Sequence, residues 1–159
     1  MTFNWFRKKE KKEKEDEILT KDSILLNASA KDKYEAIEIV GGILVKQGKV
    51  DPSYIDAMKA REDMLTTYIG NGIAIPHGVG EAKEKIIKSG ISVARFPEGV
   101  DFGGNKAYLV IGIAGKGDEH LDILANIASA CEDGERVRKL INSASKDEIY
   151  DILTGGGHN

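Results

Sequence analysis

The stretch Tyr68-Ile69-Gly70-Asn71-Gly72-Ile73-Ala74-Ile75-Pro76-His77-Gly78 carries a short apolar run between turn-forming residues. The run, residues 73–75, predicts a buried strand. Pro76 has no N–H and a fixed φ, so the strand is expected to end there. A proline also favours extended geometry in the residue before it. His77 is therefore predicted at a rigid strand end, where Gly78 places no side chain beside its ring.

A histidine in this position suits chemistry at an imidazole nitrogen, because flanking glycines let other groups approach closely. Imidazole is a nucleophile at neutral pH and can carry a phosphoryl group on either ring nitrogen. The alternative interpretation is a turn that contains an incidental histidine. The spacing around His77 leaves both interpretations open.

Length and composition describe an ordinary globular protein. The chain has 159 residues, 41% hydrophobic and 31% charged, which is enough for one domain with a substantial core. The net charge is −3 with both signs interspersed, which argues against the basic face of a nucleic-acid-binding protein. No apolar run approaches the roughly 18 residues of a membrane helix. No secretory signal peptide is recognised, so no membrane insertion is expected.

Cysteine usage points to the cytoplasm. Cys131 is the one cysteine in the sequence, so no intramolecular disulfide can form, which fits a reducing compartment. It lies in a helical pattern of small and apolar residues, and we interpret it as a small buried hydrophobe.

Strand-like and helix-like patterns alternate, which predicts α/β architecture. The turn Pro97-Glu98-Gly99 suggests an antiparallel hairpin, so we expect a single domain with a mixed central sheet of about five strands flanked by helices. The predicted strands are residues 24–26, 73–75, 90–96 and 108–114, with hairpin residues from Val100. The predicted helices are residues 29–47, 51–65, 81–88, a segment after His120, 132–142 and 146–153.

Helix signals place Arg61 on the second long helix. Ser29 with Asp32 resembles the N-cap of the first helix. Asp51-Pro52 begins the second helix, in which Arg61 lies on or beside the apolar face. That face is predicted to comprise Tyr54, Ile55, Met58 and Leu65. The alternative for Arg61 is a stem that covers the core while its head stays solvated.

His120 follows the loop 115–119 and enters the next helix. The buried face of that helix is predicted to contain Leu121, Leu124, Ala128 and Cys131. His120 would then lie at the edge of the core-facing side, near the helix N-terminus. A purely structural histidine is one interpretation. The other is a functional group, because loops after central strands collect binding sites in α/β folds.

The chain is divided into three parts. Residues 1–17 form a charged extension, expected to be solvated, although Phe3, Trp5 and Phe6 leave open a weak contact with a membrane surface. Residues 18–154 form the domain. Residues 155–159 are a frayed tail, in which His158 is assigned no role.

The block Gly70–Gly78 resembles the active-site signature of IIA components of the bacterial sugar phosphotransferase system, mannitol/fructose class. The resemblance covers residues 18–153. Residues 68–72 and 96–102 favour the mannitol branch. Further blocks in family order are Arg61-Glu62, Phe96–Val100, Ile111–Ala114 and Asp118–Leu121.

The resemblance implies a phosphocarrier without a cofactor. His77 would be the phosphorylated nucleophile, Arg61 a phosphoryl-stabilising cation and His120 a second active-site histidine. The donor would be the phosphohistidine of the carrier HPr. The acceptor would be a cysteine on the IIB component of a sugar permease, with mannitol as the expected sugar.

Other functions are weighed against this one. A nucleotide donor is disfavoured because no GxxxxGK[ST] loop is present. A metal enzyme is disfavoured because only His77 and His120 are plausible ligands. A fructose-type IIA, a regulator similar to the nitrogen-related IIA proteins and a purely structural interaction module remain as alternatives.

Overall fold

The computed structural model describes residues 17–155. Most of the predicted N-terminal extension, including Trp5, and most of the predicted tail, including His158, lie outside this range. None of the helices described between residues 17 and 155 is long and apolar enough to cross a membrane.

A five-stranded mixed sheet forms the centre of the described domain, as predicted. Its strands are β1 (Ile24–Leu25), β2 (Tyr68–Gly70), β3 (Ile73–Ala74), β4 (Gly90–Phe102) and β5 (Asn105–Ala114). Their order across the sheet is β1-β4-β5-β3-β2. β1 is parallel to β4 and β3 is parallel to β5, whereas the pairs β4–β5 and β2–β3 are antiparallel.

Helices cover both faces of the sheet and create two cores. They are α1 (Lys33–Lys46), α2 (Tyr54–Met64), α3 (Glu119–Ala130), α4 (Gly134–Asn142) and α5 (Lys146–Thr154). Side chains alternate along β5: Val110 and Ala114 join the core under α1 and α2, while Leu109, Ile111 and Ile113 join the core under the other three helices. The mixed sheet with helices packed on both faces confirms the predicted α/β class.

The long hairpin differs from the prediction at its turn. β4 does not end at Pro97-Glu98-Gly99 but continues to Phe102, with an irregular register between Arg95 and Val100. A strand tolerates proline at such an irregularity because no ladder N–H is needed there. The chain reverses at Gly103-Gly104 instead, where both residues have positive φ.

β2 is absent from the predicted strands, since only three residues pair here before the turn formers Asn71 and Gly72. Asn71 and Gly72 have φ values of 54° and 82° and connect β2 to β3 as a two-residue hairpin turn. Positive φ at both central residues is the geometry that an Asn-Gly pair accommodates.

Helix boundaries and faces also need correction. The N-cap of α1 is Asp32, not Ser29, since the Asp32 carboxylate accepts from the Glu35 N–H at 2.9 Å. The short charged helix predicted over residues 81–88 is a 3-10 helix over residues 80–85. Leu65 lies in extended backbone just after α2 and is 70% exposed.

The buried face of α3 is rotated by one residue from the prediction. Leu121 is 71% exposed and Ala128 is exposed as well, whereas His120, Ile123, Ile127 and Ala130 are buried. Cys131 is buried as expected, and burial raises the pKa of its thiol to about 11.

Two adjacent glycines on α1 provide a test of the packing between α1 and α2. A Cβ at Gly41 would lie 2.7 Å from Cγ1 of Ile55, while one at Gly42 meets no atom within 4 Å. Gly42→Ala should raise the free energy of unfolding by about 0.5–1 kcal/mol through helix propensity. Gly41→Ala should lower it, since overpacking costs about 1–3 kcal/mol. Chemical denaturation of both variants measures the difference, and equal stabilisation by both would contradict the α1–α2 contact.

Candidate functional site

β-pairing continues past Pro76 and holds the histidine that follows it. The Ile113 N–H donates to the Pro76 carbonyl at 2.9 Å, and His77 pairs with Ile113 in a parallel bridge. On the other side, the Ile75 N–H donates to the Thr67 carbonyl at 3.0 Å. Pro76 needs only its carbonyl for this pairing, so its missing N–H costs nothing here. His77 is therefore held by neighbours on both sides of β3.

The His77 ring has a defined tautomer. Its Nδ1 lies 2.7 Å from the carbonyl oxygen of Ile75, and the residue is only 8% exposed. A carbonyl oxygen can only accept, so Nδ1 must carry the hydrogen. In the neutral imidazole the lone pair is then on Nε2.

Burial is the largest influence on His77 and lowers its pKa below the ordinary value. The hydrogen bond to the Ile75 carbonyl opposes this effect, as does the negative charge of Glu62, while the positive charge of Arg61 adds to it. The net pKa is lowered, so the ring is predominantly neutral at pH 7. A neutral ring keeps the Nε2 lone pair available for reaction.

His120 lies beside His77. It is in the first turn of α3 and is 5% exposed, and the two ring centroids are 5.7 Å apart at an interplanar angle of 53°. Gly115 permits this placement, because a Cβ there would lie 2.3 Å from Cα of His120. The pKa of His120 is lowered by burial first, and then by the charges of Lys83 and His77.

One ring nitrogen of His120 lacks a partner. Its Nδ1 is buried and has no hydrogen bond within residues 17–155. Most buried polar atoms in proteins are hydrogen-bonded, so an unsatisfied one in a candidate site calls for an explanation. A polar group that binds between the two histidines would provide one.

Arg61 lies in the last turn of α2 and contributes a positive charge to the site. Its Nη1 donates to the Leu65 carbonyl at 2.6 Å, and its charge is close enough to act on His77. A guanidinium has five N–H donors, so this one hydrogen bond leaves others available for an anion. The neighbouring side chain, Glu62, is 2% exposed.

The Glu62 carboxylate is buried, and both of its oxygens have polar partners. It accepts from the backbone N–H of Thr67 at 2.8 Å and from the Thr67 hydroxyl at 2.6 Å, and Lys33 Nζ lies 3.5 Å from its other oxygen. A buried carboxylate is tolerated when it is paired in this way. Since Thr67 also accepts from Ile75, this cluster connects α2 to the strand before His77.

The structure brings together the three residues predicted for the site, His77, His120 and Arg61. Sequence reasoning missed the influence of Glu62 and Lys83. Glu62 lies within a motif and Lys83 within a charged segment, and only the folded chain places their charges near the histidines. No group of three His, Cys, Asp or Glu residues that could hold a metal ion exists within the described residues.

Comparison with known proteins identifies related chains. Residues 17–155 match the family model described as phosphoenolpyruvate-dependent sugar phosphotransferase system, EIIA 2. The mannitol-specific phosphotransferase enzyme IIA component of Geobacillus stearothermophilus is 51% identical over 137 residues, which are 86% of this chain and 94% of the relative.

Solved structures show the same fold. Enzyme IIAMtl in its complex with phosphorylated enzyme IIBMtl from Escherichia coli is 39% identical with a TM-score of 0.81, covering 86% of this chain and 97% of that one. The nitrogen regulatory protein IIA-Ntr of Neisseria meningitidis has a TM-score of 0.75 at 24% identity, covering 86% and 96%. At that identity the second likeness concerns the fold alone.

Opposite charges on neighbouring residues provide a test of the site's electrostatics. Arg61→Gln should raise the pKa of His77, because a repelling charge is removed, whereas Glu62→Gln should lower it further. The glutamine can still accept from Thr67 through its carbonyl oxygen. NMR titration of the His77 ring measures both shifts. Shifts in the same direction for both variants would contradict the arrangement.

Proposed function

The chain belongs to the EIIA 2 family of the phosphoenolpyruvate-dependent sugar phosphotransferase system, and we propose that it carries a phosphoryl group on Nε2 of His77. The observation that carries this assignment is the 2.7 Å contact between Nδ1 and the Ile75 carbonyl. That contact leaves a lone pair on Nε2 of a neutral, rigidly held ring. Positioning and charge stabilisation are the main requirements of phosphoryl transfer.

The proposed donor is the phosphohistidine of HPr. The Nε2 lone pair of His77 forms a new N–P bond while the N–P bond of the donor breaks, and that electron pair returns to the donor imidazole. Nδ1 keeps its hydrogen, and the Ile75 carbonyl stabilises the positive charge that develops on the ring. No cofactor takes part in this step.

The proposed acceptor is a cysteine thiolate on the IIB component of a mannitol permease. The thiolate attacks phosphorus, the N–P bond breaks and its electron pair returns to Nε2 of His77. Two related proteins support this choice: a mannitol-specific IIA component at 51% identity and a IIA solved in complex with phosphorylated IIB at 39% identity. A nitrogen-type regulator is less well supported, at 24% identity. A fructose-type IIA is disfavoured by the same mannitol-specific relative.

Arg61 and His120 are proposed to stabilise the phosphoryl group without forming a bond to it. The Arg61 guanidinium stays charged and can hold phosphoryl oxygens with its planar fork. His120 has a buried, unpaired ring nitrogen and lies 5.7 Å, ring to ring, from His77. A phosphoryl oxygen would satisfy that nitrogen. The site would therefore be completed by the group it carries.

Exposed apolar side chains next to the site residues suit brief docking of partner proteins. Val79 is 41% exposed two residues after His77, and Leu121 is 71% exposed directly after His120. A carrier must release both partners quickly, so a small contact of micromolar or weaker affinity is expected. We place this exchange in the cytoplasm, in keeping with the single cysteine, Cys131.

Phosphorylation by phospho-HPr should add one phosphate to the full chain, as measured by intact mass. The phosphate should be acid-labile, disappear in His77→Ala and remain in His120→Ala, because only His77 forms the covalent bond. Phosphorus–nitrogen coupling in NMR should place it on Nε2. A stable phosphate on His120, or on a serine or threonine, would overturn the assignment.

Rates of transfer should separate the roles of the other two residues. Losing a charge-assisted contact worth about 1.5–3 kcal/mol should slow transfer roughly ten- to a hundredfold in Arg61→Ala. Arg61→Lys should recover only part of this loss, because an ammonium lacks the planar fork. His120→Ala should accept phosphate but pass it on slowly.

The matched control for the arginine is Lys59→Ala. Lys59 is a cation on the same helix, but it pairs with Glu38. This variant should transfer at the wild-type rate in both directions. Wild-type rates in Arg61→Ala and His120→Ala as well would show that the three residues do not act as one site.

A further inference from the structure

We propose that Tyr54 is a positioning residue for phosphoryl transfer, whose hydroxyl fixes the peptide after His77 to the neighbouring strand β5. The inference rests on the proposed function of His77. Tyr54 is the first residue of α2 and is fully buried, so its hydroxyl cannot touch a partner protein. Any effect on transfer must pass through the groups that it contacts.

The hydroxyl connects two backbone groups that flank the histidine. It donates to the carbonyl of Ile113 at 2.8 Å and accepts from the N–H of Gly78 at 2.8 Å. Gly78 follows His77 in the chain, and Ile113 is the residue with which His77 pairs on β5. One oxygen therefore joins the peptide that leaves His77 to the strand that supports it.

The tyrosine ring also explains why residue 78 is a glycine. A Cβ at Gly78 would lie 2.8 Å from Cε1 of Tyr54 and 3.1 Å from Cβ of Ala82. The ring thus occupies the space that a side chain would need. Its burial raises the pKa of Tyr54 to about 12, against the opposing effect of the Gly78 N–H, so the hydroxyl stays protonated and continues to donate.

The Tyr54 side chain also links α2 to the strand end that carries His77. Arg61 lies seven residues after Tyr54, two helical turns along approximately the same face. A hydroxyl held between Gly78 and Ile113 therefore fixes the helix that carries the proposed cation relative to the strand that carries the proposed nucleophile. Transfer depends on such geometry, because misplacement by about 1 Å can cost a hundredfold in rate.

The test is Tyr54→Phe, which removes the hydroxyl and keeps the ring. The control is Ser92→Ala: this hydroxyl is equally buried, and it donates to the Val40 carbonyl on α1, a helix that carries none of the proposed site residues. Tyr54→Phe loses two buried hydrogen bonds and Ser92→Ala loses one, so both variants should be less stable than the wild type, Tyr54→Phe the more so.

Tyr54→Phe should lower the maximal rate of phosphorylation by phospho-HPr about tenfold, with the KM for the donor unchanged. Ser92→Ala should transfer at the wild-type rate. Hydrogen exchange of the Gly78 amide should be faster in Tyr54→Phe than in the wild type, because the amide loses its acceptor, and unchanged in Ser92→Ala.

Equal transfer rates in the two variants, a loss confined to KM, or an unchanged exchange rate of the Gly78 amide in Tyr54→Phe would overturn the inference. If Tyr54→Phe does not fold, hydrogen exchange of the wild-type Gly78 amide decides: strong protection supports the hydrogen bond to Tyr54, and exchange at the rate of an exposed loop overturns it. Failure of the proposed function is seen separately, as absence of phosphate on His77 in the wild type.

Discussion

The site depends on the pairing of β3 with β5, which continues past a proline. Pro76 has a carbonyl but no N–H, and its carbonyl accepts a hydrogen bond from the Ile113 N–H. The sheet therefore supports His77 although the regular strand ends at Ala74. The carbonyl of Ile75 then accepts from Nδ1 of the same histidine. Placement of the ring and choice of its reactive nitrogen thus follow from one short segment at the centre of the sheet.

Charge around this segment is arranged so that the histidine stays neutral while an anion can be received. Arg61 and Glu62 are neighbours in sequence and act on His77 in opposite directions. The Glu62 carboxylate is buried and hydrogen-bonded to Thr67. The Arg61 guanidinium has further N–H donors besides the one that contacts Leu65. Burial has the largest effect and lowers the pKa of His77, so its lone pair is available near neutral pH.

Much of the fold was predictable because hydrophobic periodicity and turn residues act locally. The strand before Pro76, the apolar strand ending at Ala114 and the mixed sheet of five strands were all predicted. Some errors arose where two local signals competed, and others where packing overrode a local pattern. Pro97-Glu98-Gly99 resembles a turn, but the chain reverses at Gly103-Gly104, and the register irregularity lets β4 continue through the proline. Leu121 fits a helical apolar face, yet packing buries His120 and Ile123 instead.

The sequence by itself determined the presentation of His77, since the ring of Pro76 restricts the backbone and Gly78 leaves space beside the imidazole. It also determined which residue types were available as a cation and a second imidazole. Only the tertiary structure decided that His120 lies beside His77, that Nε2 is the free nitrogen and that the Tyr54 hydroxyl joins Gly78 to Ile113. These contacts span up to 59 residues of chain, as Tyr54 to Ile113 shows, and such separations leave no local pattern. They arise when the sheet and its two helical layers pack together.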